Sequence, residues 1–258
     1  MKHISSKSNP SYREIHHFFL KSPSGSLENG FFLEGEKLIR EAVSAGAILE
    51  ALFVLEGQEE DWIEWDQKVF VLSESLMRNL SRLATPARVI AMAKLAKRES
   101  LETCLQRGTT FLVLDRLQDP GNIGTIIRTA EGLNVDAVFL SSGSCSATND
   151  KTLRAAMGSA FRLPIFENMS AHDLMLLFRR AQIQTIGTKM KGNPLPGVSL
   201  PARLAFFFGN EGRGIDRELL PEFDHVVCIP MTGKIESYNV AISASICLYE
   251  RLRQRRLT

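Results

Sequence analysis

From Thr109 onward the chain alternates short apolar runs with helix-like stretches, and that rhythm admits few folds. The runs are TFLVLDR (110–116), DAVFLSS (136–142), IQTIGTKM (183–190), LAFFFGN (204–210) and HVVCIPM (225–231). Each is compact and apolar on consecutive positions, which reads as strand buried on both faces. Residues 123–134, 149–160, 171–182, 214–220 and 238–256 read as helix between them. Strands alternating with helices predict an α/β domain, a parallel sheet covered by helices on both sides. Ligand sites in such sheets lie beyond the carboxyl ends of the strands, so the loops there are where chemistry is expected.

The first part of the chain keeps a different rhythm. GEKLIREAVSA (35–45) puts Leu38, Ile39, Ala42 and Val43 on one helical face. Strands follow at 51–57 and 69–74, then a helix over 73–84 with Ser73 or Ser75 as its cap, then a strand over 87–95. Residues 96–108, AKRESLETCLQRG, are polar and charged. The expected organisation is a small α/β domain over 1–100, a linker over 101–108 and the parallel-sheet domain over 109–258.

Composition narrows the function classes. No apolar run approaches the roughly 20 residues of a membrane helix, and the N-terminus lacks a secretory pattern, so a cytoplasmic protein is expected. The four cysteines are far apart with no C-x-x-C pair, which argues against a disulfide framework or a zinc site, and no metal is expected. A net charge of +2 does not announce a nucleic-acid binder. The basic end carries Arg251, Arg253, Arg255 and Arg256; it could neutralise phosphates, or be a solvated helix end favoured by the dipole.

Three strand-end loops stand out. LQDPGNIGTIIRTAEGL follows the first strand of the second domain, with Pro120, Gly121 and Gly124 at a strand-to-helix turn and Asn122 and Arg128 six residues apart. It is an anion site at a helix start, or a tight turn with a solvated arginine; P-loop spacing is absent. FFFGNEGRGI (206–215) sets three glycines and Glu211 directly after a strand, where the backbone can approach a ligand closely. IPMTGKIESYNVAISASICLYE (229–250) ends a strand at Pro230 and places Ser237 where the N-cap of the last helix is expected.

Taken together, these loops resemble a known family. NxGxxxR after the first strand, FGNEGxG after a late strand and IPMxGxxES-NV before the last helix look like motifs 1, 2 and 3 of the SpoU/TrmH-like branch of the SPOUT methyltransferases. LRAAMGSAFRLPIF (153–166) is similar to the segment between motifs 1 and 2. ISSKSNP (4–10), FFLEGEKLIREA (31–42) and TPARVIAM (85–92) are similar to the branch's substrate-binding domain, so the resemblance covers nearly the whole chain. It implies a deep trefoil knot in the parallel-sheet domain, which spacing alone does not suggest because knots are nearly absent from protein folds.

The resemblance further implies an RNA methyltransferase that uses S-adenosyl-L-methionine to methylate a ribose 2′-hydroxyl. Ribosomal RNA is favoured over transfer RNA by the long N-terminal domain. The implied cofactor residues are Thr188, Gly209, Glu211, Gly212, Ile229, Met231, Tyr238 and Asn239. The implied catalytic group is Arg128, with Asn122, Glu211, Ser237 and Asn239 orienting it or the substrate. A homodimer is implied, motif 1 of one subunit completing the other's site. Three positions depart from the family pattern: Tyr238 replaces a leucine, and Ala241 and Ala156 replace serines. The alternatives are an RNA-binding assembly factor with weak catalysis and a SPOUT base methyltransferase. A nicotinamide-dependent oxidoreductase would need an early G-x-G-x-x-G, which this sequence lacks.

Overall fold

The computed structural model describes residues 1–21, 26–27, 30–62, 68–95 and 99–256. Residues 96–98 of the polar join lie outside them. The chain divides into two compact units, one of residues 1–98 with 148–161 and one of residues 99–147 with 162–258.

The first unit is built on a six-stranded mixed sheet. In chain order its elements are β1 (Lys2–Ile4), α1 (Pro10–Lys21), β2 (Ser26–Leu27), β3 (Gly30–Glu34), α2 (Glu36–Ser44), β4 (Ala47–Leu55), β5 (Lys68–Leu72), α3 (Glu74–Leu80) and β6 (Val89–Leu95). The strand order is β1-β5-β4-β6-β3-β2. β5 pairs in parallel with β1 and β4, whereas β6 runs antiparallel to both β4 and β3. The central residues of β4, Leu52, Phe53 and Val54, are buried because strands flank it on both sides. Ile4, Tyr12, Phe53, Leu76 and Met77 share one core cluster. Tyr12 buries its ring and still satisfies its hydroxyl, which donates to the Leu76 carbonyl at 3.0 Å. Ser73 stands at the N-cap of α3 with no side-chain cap bond; its hydroxyl pairs instead with that of Ser75 at 3.2 Å.

The second unit holds the predicted parallel sheet. Its elements are α4 (Leu101–Arg107), β7 (Thr110–Leu114), α5 (Pro120–Gly132), β8 (Ala137–Ser141), α6 (Asp150–Ala156), α7 (Ser159–Arg162), β9 (Ile165–Met169), α8 (Ala171–Arg180), β10 (Gln184–Pro194), β11 (Leu204–Phe208), β12 (His225–Cys228) and α9 (Val240–Arg256). Of these, α6 and most of α7 group with the first unit. There Asp150 pairs with Arg82 at 3.1 Å, and the Phe161 ring stacks on Phe31 with centroids 5.5 Å apart. All strand pairs in the second sheet are parallel, in the order β12-β10-β11-β7-β8-β9. Every residue of β7, β8 and β11 is buried, the pattern that helices on both faces require. Phe111, Phe139, Phe178, Phe207 and Phe223 form one core cluster with Cys104 of α4.

Two expectations are corrected. β9 was not foreseen: it lies at the sheet edge, and only Ile165 of IFENM is buried, so it lacks the apolar run of an interior strand. The helix expected over 214–220 does not form. That stretch makes three-residue turns, Leu219 to Asp216 and Leu220 to Arg217, and ends in a 3-10 turn at Leu220–Glu222. Pro221 has no N–H to continue an α-helix. The basic end is also resolved in part: Arg251 is buried and donates to the Pro201 carbonyl at 2.7 Å and to that of Ala202, while Arg253 pairs with Glu250. Gln254 bonds the Leu200 N–H and the Val198 carbonyl, so α9 is fastened to residues 198–202.

Candidate active site

The strand order reverses between β7 and β11. β8 and β9 continue to one side of β7, and β11, β10 and β12 lie on the other. The loops leaving the carboxyl ends of β7 and β11 therefore start side by side, at the end of the sheet where open α/β folds bind their ligands. A cleft of about 590 Å³ lies at this end of the sheet, lined by Thr188, by Phe208 to Ile215, by Val227, Ile229 and Met231, and by Glu236 to Val240. That volume is in the range of small-molecule sites.

Local chemistry shapes each loop. Asp119 caps α5, its Oδ1 accepting the Asn122 N–H at 2.7 Å, and Pro120 occupies the first helical turn, where no N–H is needed. After β11, Asn210 folds its loop back: its Oδ1 accepts from the N–H groups of Gly212 and Arg213, and its carbonyl accepts from Gly214. Gly209 sits against the returning backbone. A Cβ there would lie 2.2 Å from the Gly214 carbonyl carbon and the Ile215 nitrogen, so this position admits glycine alone.

Polar side chains tie the three loops together. The Glu211 carboxylate accepts the backbone N–H groups of Gln118 at 3.3 Å and Asp119 at 3.2 Å, with Asn122 Nδ2 at 3.4 Å. Negative charge is favoured there by the start of α5. Asn210 Nδ2 donates to the Arg116 carbonyl at 2.8 Å. Asn122 Oδ1 accepts from Asn239 Nδ2 at 2.9 Å, and Asn239 Oδ1 accepts the Ala241 N–H at 2.8 Å. Asn239 is therefore the cap of α9. Ser237, expected in that role, stands two residues ahead of it in the cleft lining, because the helix starts at Val240.

Thr188, Gly209, Glu211, Gly212, Ile229, Met231, Ser237, Tyr238 and Asn239 all line this one cleft. Asn122 joins it through its bonds to Glu211 and Asn239. Arg128 does not line it. It is exposed on α5, with no ion pair or hydrogen bond from its side chain among the described residues. Six residues of helix put it about 9 Å further along and about 120° around from Asn122.

The walls suit a ligand with apolar and polar parts. Ile215, Val227, Ile229, Met231 and Val240 give the apolar part, with Tyr238 36% exposed at the rim. Thr188 turns its hydroxyl to the Phe207 carbonyl at 2.8 Å, leaving the oxygen free to accept. Burial pushes the Cys247 thiol up to about 12, so this lining cysteine stays neutral and poorly nucleophilic.

Sequence reasoning missed several groups. Lys189, Met190 and Arg213 line the cleft, and Asn210 braces motif 2 against motif 1. Arg116 adopts φ 56 at the end of β7, held by Asp115 at 3.0 Å and by its N–H to Ser141 Oγ at 2.9 Å. The Asn-Glu pair after an apolar strand was the available signal for the brace; nothing in residue type marks the turn at Arg116.

Comparison with known proteins places this arrangement. The SpoU rRNA Methylase family profile matches residues 109–249, and an MRM3-like substrate binding domain profile matches residues 26–91. The chain is 33% identical to the 23S rRNA (guanosine(2553)-2'-O)-methyltransferase RlmP of Bacillus subtilis, over 96% of this chain and 98% of that protein. It is similar to the AdoMet-bound rRNA methyltransferase of Sinorhizobium meliloti, with TM-score 0.80, 27% identity, and coverage of 100% and 99% of the two chains. The SpoU methyltransferase AviRb of Streptomyces viridochromogenes, in complex with the cofactor AdoMet, gives TM-score 0.81 at 25% identity, covering 96% and 98%. With the profile spanning more than half of the chain and a relative aligned along nearly all of it, this chain belongs to the SpoU rRNA Methylase family.

Proposed function

We propose that this chain is an S-adenosyl-L-methionine-dependent RNA 2′-O-methyltransferase acting on ribosomal RNA, with residues 1–100 binding the RNA and residues 109–258 carrying the reaction. One observation carries the reading: Glu211, Asn122 and Asn239 bind the three motif loops to one another around a single cleft at the strand ends. Two AdoMet-bound relatives share the fold. The cleft fits the cofactor by its chemistry, with apolar walls for an adenosyl group and polar groups at Thr188, Glu236 and Ser237. The trefoil threading belongs to the same reading, and Arg251 and Gln254 hold residues 198–202 against α9. A cytoplasmic place of action belongs to the same reading.

When bound, S-adenosylmethionine supplies a methyl group on a positively charged sulfur. Thr188, Ile229, Met231 and Tyr238 would hold it, and it would supply that methyl to the ribose oxygen as the hydroxyl proton goes to a base. The chain's tasks are to align the oxygen and to stabilise negative charge on it as the proton departs. Arg128 suits the second task and not the base's, since a guanidinium stays protonated. Its exposure on α5, outside its own chain's cleft, fits a homodimer in which each Arg128 serves the other subunit's site. Ile242 and Tyr249 add exposed apolar surface on α9, 50% and 62% exposed. Asn122 and Asn239 orient the oxygen's surroundings, and Glu211 holds the loops.

The test is mass spectrometry of nucleosides from ribosomal RNA of cells with and without this protein. One 2′-O-methylated nucleotide should vanish and return with wild type but not with Arg128→Ala. Loss of a methylated base would refute the ribose chemistry. No change in any nucleoside would favour a binding factor.

A further inference from the structure

Strand β10 leaves its ladder in an unusual way. Thr188 and Asn193 both face Val227 of β12, so Lys189, Met190, Lys191 and Gly192 lie outside the pairing register. An ordinary bulge adds one residue. The root of this excursion is fixed. A Cβ on Gly192 would lie 2.9 Å from the Val226 carbonyl oxygen, and the Cys228 thiol donates to the Gly192 carbonyl at 3.2 Å. The tip is open: Lys189, Met190 and Lys191 are all exposed, Met190 at 63%.

The excursion stands at the mouth of the cleft, with Lys189 and Met190 in its lining and Arg213 entering from the β11 loop. Among the described residues the side chains of Lys189, Lys191 and Arg213 have no ion pair or hydrogen bond. The acidic residues of the lining are Glu211, whose carboxylate is taken up by the N–H groups of residues 118 and 119, and Glu236. A cofactor carboxylate would occupy one cation. Two unpaired cations in the lining, Lys189 and Arg213, with Lys191 exposed on the same excursion, match a polyanion better, and the exposed Met190 beside them offers an apolar, polarisable face to a flat ring. In extended backbone, side chains two residues apart are about 6.6 Å from each other, the scale of neighbouring phosphates on one strand.

We propose that the Lys189–Gly192 excursion is an RNA contact, in which Lys189 and Lys191 hold backbone phosphates beside the target nucleotide and Met190 packs against an adjoining base. This rests on the methyltransferase reading and adds the groups that seat the RNA at the cleft. Phosphate contacts of this kind set register and affinity without reading sequence.

The experiment compares wild type with Lys189→Gln/Lys191→Gln and Lys189→Arg/Lys191→Arg. Affinity for protein-free large-subunit ribosomal RNA is measured across a potassium chloride series, and affinity for S-adenosylmethionine by calorimetry. Loss of two phosphate contacts should lower the slope of log affinity against log salt by roughly 1.4 to 1.8. RNA binding should weaken about tenfold in the glutamine variant and be retained in the arginine variant, with cofactor affinity held in both. Weaker cofactor binding with an unchanged salt slope would assign the lysines to the cofactor's carboxylate and overturn the proposal. Unchanged RNA and cofactor binding would make the excursion a solvated loop and overturn it equally. Failure of the wild type to methylate this RNA would defeat the methyltransferase reading separately, because the salt slope is read without turnover.

Discussion

Replacing Asn239 by serine separates the two jobs of one side chain. Its Oδ1 caps α9 by accepting the Ala241 N–H at 2.8 Å, and its Nδ2 reaches Asn122 Oδ1 at 2.9 Å. Serine is as good a cap as asparagine but too short to keep the second bond, whereas alanine keeps neither. Losing the cap costs about 1 kcal/mol, and losing a hydrogen bond costs about 1 kcal/mol more. For a chain of this size 1 kcal/mol is about 2–4 °C in Tm. Asn239→Ala should therefore melt about 4–8 °C below wild type, and Asn239→Ser about half as far. Activity should follow the bridge and not the cap. Both variants should lose about 10- to 100-fold in kcat, since a mis-set preorganised group costs up to roughly 3 kcal/mol of barrier. Methyl transfer from labelled S-adenosylmethionine to ribosomal RNA gives kcat, and calorimetry gives Tm. A double-mutant cycle with Asn122→Ala should return a coupling of about 1 kcal/mol. Full activity in the serine variant, or a coupling of zero, would show that the Asn122–Asn239 bond does not hold the site.

Other outcomes follow from the same geometry. Gly209→Ala forces a Cβ to 2.2 Å from backbone that has no flexible side chain to yield; cofactor affinity by calorimetry should fall at least about tenfold, and retained affinity would mean the loop can re-form. In the proposed homodimer, mixing the impaired Arg128→Ala and Asn239→Ala subunits should raise activity to about a quarter of wild type, since half the dimers would be mixed and each of those would have one intact site. No recovery would place Arg128 in its own chain's site. Cys247 and Cys104 carry thiols that burial pushes from 9.0 to about 12, so above pH 9 the unfolded chain releases these protons first and stability falls as pH rises. The loss approaches about 1.4 kcal/mol per pH unit for each thiol. Cys247→Ala should flatten the decline of Tm between pH 9 and about pH 11; an unchanged slope would refute the assignment.

Legibility in the sequence followed burial. β7, β8 and β11 were readable because both their faces are covered, which leaves continuous apolar runs such as LAFFF. β9 was not, because an edge strand with residues like Glu167 and Asn168 resembles a loop. The stretch after Gly214 looked helical by composition, but Pro221 and the turns at Asp216 and Arg217 prevail over propensity. The cap of α9 was displaced by two residues because Ser237 and Asn239 are both good caps and only the helix start decides between them. At the site, the three motif loops could be found from their glycines, and their meeting at one end of the sheet followed from strand placement. The excursion at Lys189 could not be read, since it depends on which residue of β12 faces Thr188 and Asn193. Nor could the membership of residues 148–161, which rests on partners more than 60 positions away, such as Arg82 for Asp150.

That discontinuous first unit has a consequence for how the protein is made and dissected. A chain emerging from the ribosome has β1 to β6 long before it has Asp150 and Phe161, so this unit waits for the start of the second sheet before its surface is sealed. Expressed alone, residues 1–98 would show the Phe31 ring to water where Phe161 covers it, and Arg82 would lose its ion pair. A fragment cut at the apparent junction is therefore prone to self-association, and a soluble version would need residues 148–161 grafted back onto it.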